Sequence, residues 1–142
     1  MPIRKANAVW NGNLKQGKGT MKFGSGAFEG SYSFSSRFEE GEGTNPEELV
    51  GAAHAGCFSM AFAGDLAQSG FKPKSIKTNA EVTLSKIADG WEIASIILHS
   101  EAEVPDIDAA RFLEIAEGAK KNCPVSKALQ GIEITLDAKL AG

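Results

Sequence analysis

The sequence predicts an α+β protein, and three observations carry that reading. Short apolar segments separated by glycine turns crowd the N-terminal part of the chain. A long, almost uncharged helical stretch follows, from Leu49 to Gln68. Two strands, a helix, a short helical turn and a last strand then complete the order. Strands and helices gathered into separate runs belong to α+β architectures, whereas strict alternation would have pointed to a doubly wound parallel sheet. At 142 residues and 15.0 kDa the chain is expected to form a single domain over 1–142, with a core large enough to need no disulfide.

Taken in order, Gly12, Gly17, Gly19, Gly24, Gly26 and Gly30 punctuate Ala8-Val9-Trp10 and Met21-Lys22-Phe23 as a β-meander, with Asn11-Gly12 its strongest hairpin signal. A third strand-like segment, Tyr32-Ser33-Phe34, leads into Ser36-Arg37-Phe38, and Glu39 to Gly43 reads as an acidic loop. Asn45-Pro46-Glu47-Glu48 is a helix start with Asn at the N-cap, Pro at the first helical position and Glu48 at the capping-box position. The helix beyond it is apolar on all sides, the pattern of a central buried helix. Its small residues Gly51, Ala52, Ala53, Ala55 and Gly56 would admit a second backbone, including one from another copy of the chain.

After Gly70 and the Lys72-Pro73 turn, Ala80, Val82 and Leu84 alternate with polar residues, and Asp89-Gly90 turns the chain into a strand over Trp91 to Val104. Asp108 caps a second helix with Phe112, Ile115, Ala116 and Ala119 on one stripe and Lys120 and Lys121 near its end. Cys123-Pro124 breaks that helix and starts a short turn through Leu129. Ile132, Ile134, Leu136, Ala138 and Leu140 make an alternating last strand.

A charged fraction of 23%, 42% hydrophobic residues and a mean hydropathy of −0.16 exclude a disordered tail, a collagen or a membrane span. Fifteen basic residues against 18 acidic ones, with no basic run longer than Lys120-Lys121, argue against a nucleic-acid partner. Arg4 and Lys5 are followed by no signal-peptide core, so the expected location is cytoplasmic. Two distant cysteines in that compartment raise the question of catalytic thiols.

Cys57 lies in the middle of the apolar helix, out of reach of the N-terminal helix dipole, which acts mainly over the first turn. It is either an inert buried cysteine or a nucleophile activated by a cation from elsewhere. Cys123, at a helix junction, suits either a resolving thiol or a cap residue. His54, three residues before Cys57, fits a Cys-His pair but better a hydrogen-bonded residue inside the helix packing; His99, in an alternating strand, reads as a solvated face residue. No pair of these residues shows zinc-ligand spacing such as Cys-x-x-Cys.

The run from Gly43 to Met60, containing Asn45-Pro46-Glu47-Glu48 and Ala53-His54-Ala55-Gly56-Cys57-Phe58, together with Asn122-Cys123-Pro124-Val125-Ser126, resembles the OsmC subgroup of the OsmC/Ohr family. That family comprises osmotically inducible and organic-hydroperoxide-resistance proteins. The likeness extends from Trp10-Asn11-Gly12 and Gly17-Lys18-Gly19-Thr20 to Ile134-Thr135-Leu136-Asp137. It implies antiparallel sheets around a long central buried helix and an intertwined homodimer. It also implies a thiol-dependent peroxidase acting on organic hydroperoxides. Matched by position, Cys57 is the peroxidatic cysteine, Cys123 the resolving one, Arg37 the activating arginine and Glu47 the glutamate that holds it. No bound cofactor or metal is expected; the reductant is a dithiol such as a lipoyl-bearing protein carries. The rival from another class is a non-catalytic, small-ligand-binding stress protein.

Two further expectations follow. Ten residues of helix between Glu47 and Cys57 amount to roughly 15 Å of rise, so an Arg37 touching both is expected to come from a second subunit. Phe38, Phe58, Met60 and Phe62 are candidates for an apolar pocket around the hydroperoxide.

Overall fold

The glycine-punctuated N-terminal segments form the expected antiparallel sheet. In the computed structural model, which describes residues 1–142, β1 (Ala6–Asn11), β2 (Lys18–Phe23) and β3 (Glu29–Tyr32) pair in the order β1-β2-β3. Gly19 stands opposite Trp10 on one side and Tyr32 on the other. A Cβ there would lie 2.7 Å from both rings, so only glycine lets the two aromatics reach across the middle strand to 5.3 Å between centroids. Gly12 takes the positive φ of a turn, +98°, but the connection is wider than a two-residue hairpin. Asn13 lengthens it by accepting from the Gly17 N–H at its carbonyl, 2.9 Å, and from the Gln16 N–H at its side chain, 2.7 Å.

The third strand ends at Tyr32, short of the expected Tyr32-Ser33-Phe34, and Phe34 opens a short helix, α1 (Phe34–Phe38). Ser33 caps it, accepting from the Ser36 N–H, while the Ser36 hydroxyl accepts from the Ser33 N–H at 2.8 Å. This reciprocal serine box satisfies the free N–H groups of the first turn and outweighs the strand preference of the two phenylalanines, which stack as an i,i+4 pair at 5.0 Å. The acidic loop folds back on α1: the Ser36 hydroxyl donates to the Thr44 carbonyl at 2.7 Å, and the Asn45 amide donates to the Ser36 carbonyl at 3.0 Å. α2 (Pro46–Gln68) then starts as read, with Asn45 Oδ1 accepting from the Glu48 N–H at 2.7 Å. The Glu48 carboxylate accepts from the Thr44 hydroxyl at 2.8 Å. These elements make up one compact unit, Met1–Leu49.

The second unit, Val50–Gly142, holds the rest of α2 and a sheet of β4 (Ser75–Ile87), β5 (Gly90–Glu103) and β6 (Glu133–Ala141) in the order β4-β5-β6. The β4–β5 hairpin is antiparallel, but β6 runs parallel to β5, so this sheet is mixed and not purely antiparallel as expected. The reason is the connection: α3 (Ala109–Asn122) and α4 (Pro124–Ala128) form a crossover that returns the chain to the end from which β5 began. Asp108 caps α3 as read, accepting from the Arg111 N–H at 2.8 Å.

The core of this unit comprises Phe58, Phe62 and Leu66 of α2, Phe112, Ile115, Ala116 and Ala119 of α3, and Ile96, Leu98 and Ala102 of β5. Gly51 brings α2 against β4, where an added Cβ would sit 3.2 Å from Val82. α2 is long and apolar enough to cross a bilayer by length and composition alone, yet its Phe58-Phe62-Leu66 stripe is core. The expectation of burial on all sides does not hold within one chain: Ala53, Gly56, Met60, Gly64 and Ala67 form an exposed stripe, with Met60 81% exposed.

Candidate active site

The structure groups the four candidate residues as two pairs, one in each unit. In the first unit, α1 presents Arg37 to Glu47 at the start of α2. The guanidinium donates from Nε to Oε1 at 3.0 Å and from Nη2 to Oε2 at 2.8 Å. This fork-on-fork geometry fixes the plane of the guanidinium as well as its position. Glu47 is buried, and the Phe38 ring lies 5.3 Å from Arg37 Cζ, a cation–π contact. The capping box that makes α1 a helix therefore also orients the cation. A cavity of about 240 Å³ opens beside it, lined mainly by Trp10, Leu14, Tyr32, Phe34, Arg37 and Phe38.

In the second unit, Cys57 of α2 and Cys123 at the α3–α4 junction bring their sulfur atoms to 2.7 Å. Both are free thiols; Cys57 is half-buried and Cys123 is buried. Burial, then the hydrogen bond with Cys123, pushes the Cys57 thiol up, with only the Val125 N–H pulling it down. Burial also raises Cys123, but the bond it shares with Cys57, the Ser126 N–H and hydroxyl, and the Val125 N–H outweigh it and bring it below the ordinary cysteine value. Burial thus disfavours the Cys57 thiolate, and a cation beside it would favour it.

His54 is fully buried and its Nε2 lies 2.7 Å from Ser126 Oγ, a bond between residues 72 positions apart. It is the hydrogen-bonded interior residue the sequence favoured. Its partner, Ser126, was not singled out, although the spacing held a signal: His54 is three residues before one cysteine and Ser126 three after the other. His99 is partly exposed, between Asp137 at 3.3 Å and Glu81 at 3.5 Å. No group of three or more His, Cys, Asp or Glu is placed to hold a metal ion. Of the pocket candidates, Phe58 and Phe62 are core, Met60 is exposed, and Phe38 alone lines the cavity at Arg37.

The two histidines predict opposite pH dependences of stability. Burial holds His54 below its ordinary 6.5, so below pH 6.5 the unfolded state binds the extra proton first. Stability from this site is full above that pH and falls as pH drops towards the lowered value. Hydrogen bonds donated to the Asp137 and Glu81 carboxylates hold His99 above 6.5, so its contribution is present below that pH and fades as pH rises through the raised value. Urea midpoints from about pH 7.5 to about pH 5 should therefore fall less steeply in His54→Gln than in the parent chain. An unchanged slope would contradict the assignment.

A pair of thiols within bonding reach on an α+β frame, with a fixed guanidinium on a neighbouring element of the sequence, defines a thiol-based redox protein. Residues 39–137 match the family described as OsmC-like protein. The chain is 51% identical over 138 residues to the Peroxiredoxin OsmC of Escherichia coli (strain K12), covering 96% of each. It is 34% identical over 98 residues to an organic hydroperoxide resistance protein of Xanthomonas axonopodis pv. citri, covering 68% of this chain and 67% of that one. An organic hydroperoxide resistance protein from Elizabethkingia anophelis shares the fold, with a TM-score of 0.76 at 23% identity over 99% of each chain. The chain belongs to the OsmC-like family.

Proposed function

We propose that this chain is a cysteine-based peroxidase that reduces organic hydroperoxides to alcohols in defence against oxidative stress, residues 1–142 acting as one domain and two copies as a homodimer. The observation that carries the reading is the thiol pair: two cysteines 66 positions apart bring their sulfurs to 2.7 Å. The names of the Escherichia coli and Xanthomonas relatives support it. Cys57 is the peroxidatic thiol, Cys123 the resolving thiol, Arg37 the activating cation and Glu47 its anchor.

The chemistry balances without a cofactor. The Cys57 thiolate attacks one peroxide oxygen; a sulfur–oxygen bond forms, the oxygen–oxygen bond breaks, and the alkoxide leaves and takes a proton as the alcohol. Arg37 stabilises both the thiolate and the departing oxygen. Cys123 then attacks the sulfenic sulfur, forming the disulfide and releasing water. A dithiol, of the kind a lipoyl-bearing protein carries, reopens it by exchange.

Ten residues of α2 separate Glu47 from Cys57, roughly 15 Å of rise, so the cation beside Cys57 is assigned to a partner subunit. The exposed Ala53-Gly56-Met60-Gly64-Ala67 stripe of α2 is the face such a partner would cover.

One equivalent of an alkyl hydroperoxide is expected to remove both thiols of each chain and leave an intramolecular disulfide. A ligand carrier would keep both thiols. Mixing Arg37→Ala with Cys57→Ser, each inactive alone, should restore about a quarter of parental activity, because half the dimers are mixed and each has one complete site. No recovery would place the whole site within one subunit.

A further inference from the structure

His54 is a fully buried imidazole with no part in the reaction just described. Its Nε2 meets Ser126 Oγ at 2.7 Å, while its Nδ1 is buried without a partner. That asymmetry assigns the tautomer: a bare nitrogen acceptor is tolerated where an orphaned N–H donor is the rarer and costlier case. The proton therefore sits on Nε2 and is donated to Ser126 Oγ, which leaves the serine hydroxyl its own proton for the sulfur of Cys123, the N-cap of the same short helix, whose thiol Ser126 helps to lower. Two donors in a row, on His54 and Ser126, thus aim one way, towards the Cys123 sulfur. The second asymmetry is access: Cys123 is 0% exposed, whereas Cys57 is half-buried.

We propose that His54 and Ser126 form a relay that makes Cys123 the leaving sulfur when a dithiol reopens the disulfide, so that the reductant attacks Cys57. This rests on the peroxidase reading for its place in the cycle. The reductant thiolate attacks Cys57 Sγ. The Cys57–Cys123 bond breaks with its electron pair passing to Cys123 Sγ, where the Ser126 O–H meets the new charge, and a mixed disulfide forms between reductant and Cys57. The second thiol of the reductant then attacks its own sulfur in that bond, closing a cyclic disulfide and releasing Cys57 as a thiolate. Two electrons move from dithiol to protein, and the two thiol protons end on the cysteines or in solvent. A stabilised thiolate leaves faster, so the relay accelerates recovery and not attack on peroxide. Ser126 is the group assigned to the departing sulfur; His54 is a positioning residue that acts through it.

The test starts from protein oxidised to the disulfide with diamide, so it stands even if the chain consumes no hydroperoxide. Reduction by dihydrolipoamide should be about 3- to 10-fold slower in Ser126→Ala and in His54→Leu than in the parent chain. Ser126→Thr, which keeps the hydroxyl, and His54→Gln, which keeps an amide donor, should recover most of the rate; a merely structural role for the two residues would not follow donor capacity in this way. Acid quenching during reduction by 2-mercaptoethanol, followed by peptide mass analysis, should find the mixed disulfide on Cys57. Adducts mainly on Cys123, or equal reduction rates in parent and Ser126→Ala, would overturn the proposal. Should Ser126→Ala not fold, the ratio of His54→Leu to His54→Gln decides alone.

Discussion

Cys57→Ser is expected to fold like the parent chain and to consume organic hydroperoxide at least about 10³-fold more slowly, the scale at which loss of a nucleophile acts in other enzymes. The argument is chemical. A serine hydroxyl is almost never ionised near neutral pH, and a guanidinium cannot supply the missing nucleophile. Cys123 cannot substitute, because it is buried and has no guanidinium assigned to it. The companion variant makes the prediction sharper: Cys123→Ser should release about one equivalent of alcohol per chain in a fast step and a second only slowly, as further hydroperoxide takes its Cys57 from sulfenic to sulfinic acid. Peroxide consumption and intact-protein mass check both. Normal turnover by Cys57→Ser would end the assignment of the peroxidatic thiol.

The largest effect on stability is expected at Phe62. It is fully buried, stacks on Phe58 at 5.5 Å along α2 and meets Phe112 of α3 edge-on at 5.3 Å. Phe62→Ala removes the ring that joins the two helices and leaves a cavity bounded by rigid neighbours, for which about 3–5 kcal/mol is the expected cost. A chain of this size should then melt roughly 6–20 °C lower. Scanning calorimetry at equal protein concentration reads the shift, since a dimer's melting depends on concentration. Met60→Ala on the exposed stripe should leave the fold of the single chain almost untouched while loosening any contact made by that face. A drop of under 1 °C for Phe62→Ala would show that α3 does not rest on α2 through this ring.

Much of this fold is legible because caps and turns are written locally. Asn45-Pro46 and Asp108 start their helices where the side chains say, and the alternation of Ile132 to Leu140 gives β6 its faces. Two features are not local. Ser33 and Ser36 start a helix at Phe34, inside the segment that reads as the third strand, because a reciprocal pair of serine bonds is invisible to periodicity. The direction of β6 depends on where α3 and α4 deliver the chain, which no strand pattern encodes. At the site, Cys57, Cys123, Arg37 and Glu47 were recognisable by resemblance, but the partnership of His54 with Ser126 spans the crossover and needs the tertiary fold. Aromatic identity likewise could not separate pocket from core: the shared stripe of Phe58, Phe62 and Leu66 facing Phe112 decides it, leaving Phe38 beside Arg37.

The crossover that turns β6 parallel has a consequence for the chain while it is being made. Cys123 lies on that crossover, 66 positions after Cys57, so at 5–20 residues per second it leaves the ribosome about 3–13 s later. Under the roles proposed above, the growing polypeptide carries throughout that interval the peroxide-reacting sulfur without its resolving partner. The nascent Cys57 also lacks a cation from a finished partner, and an unassisted thiol is only a few per cent ionised near neutral pH. On the proposed assignment, machinery divided between distant stretches of sequence, and between copies, would keep the sulfur quiet until translation and assembly are complete.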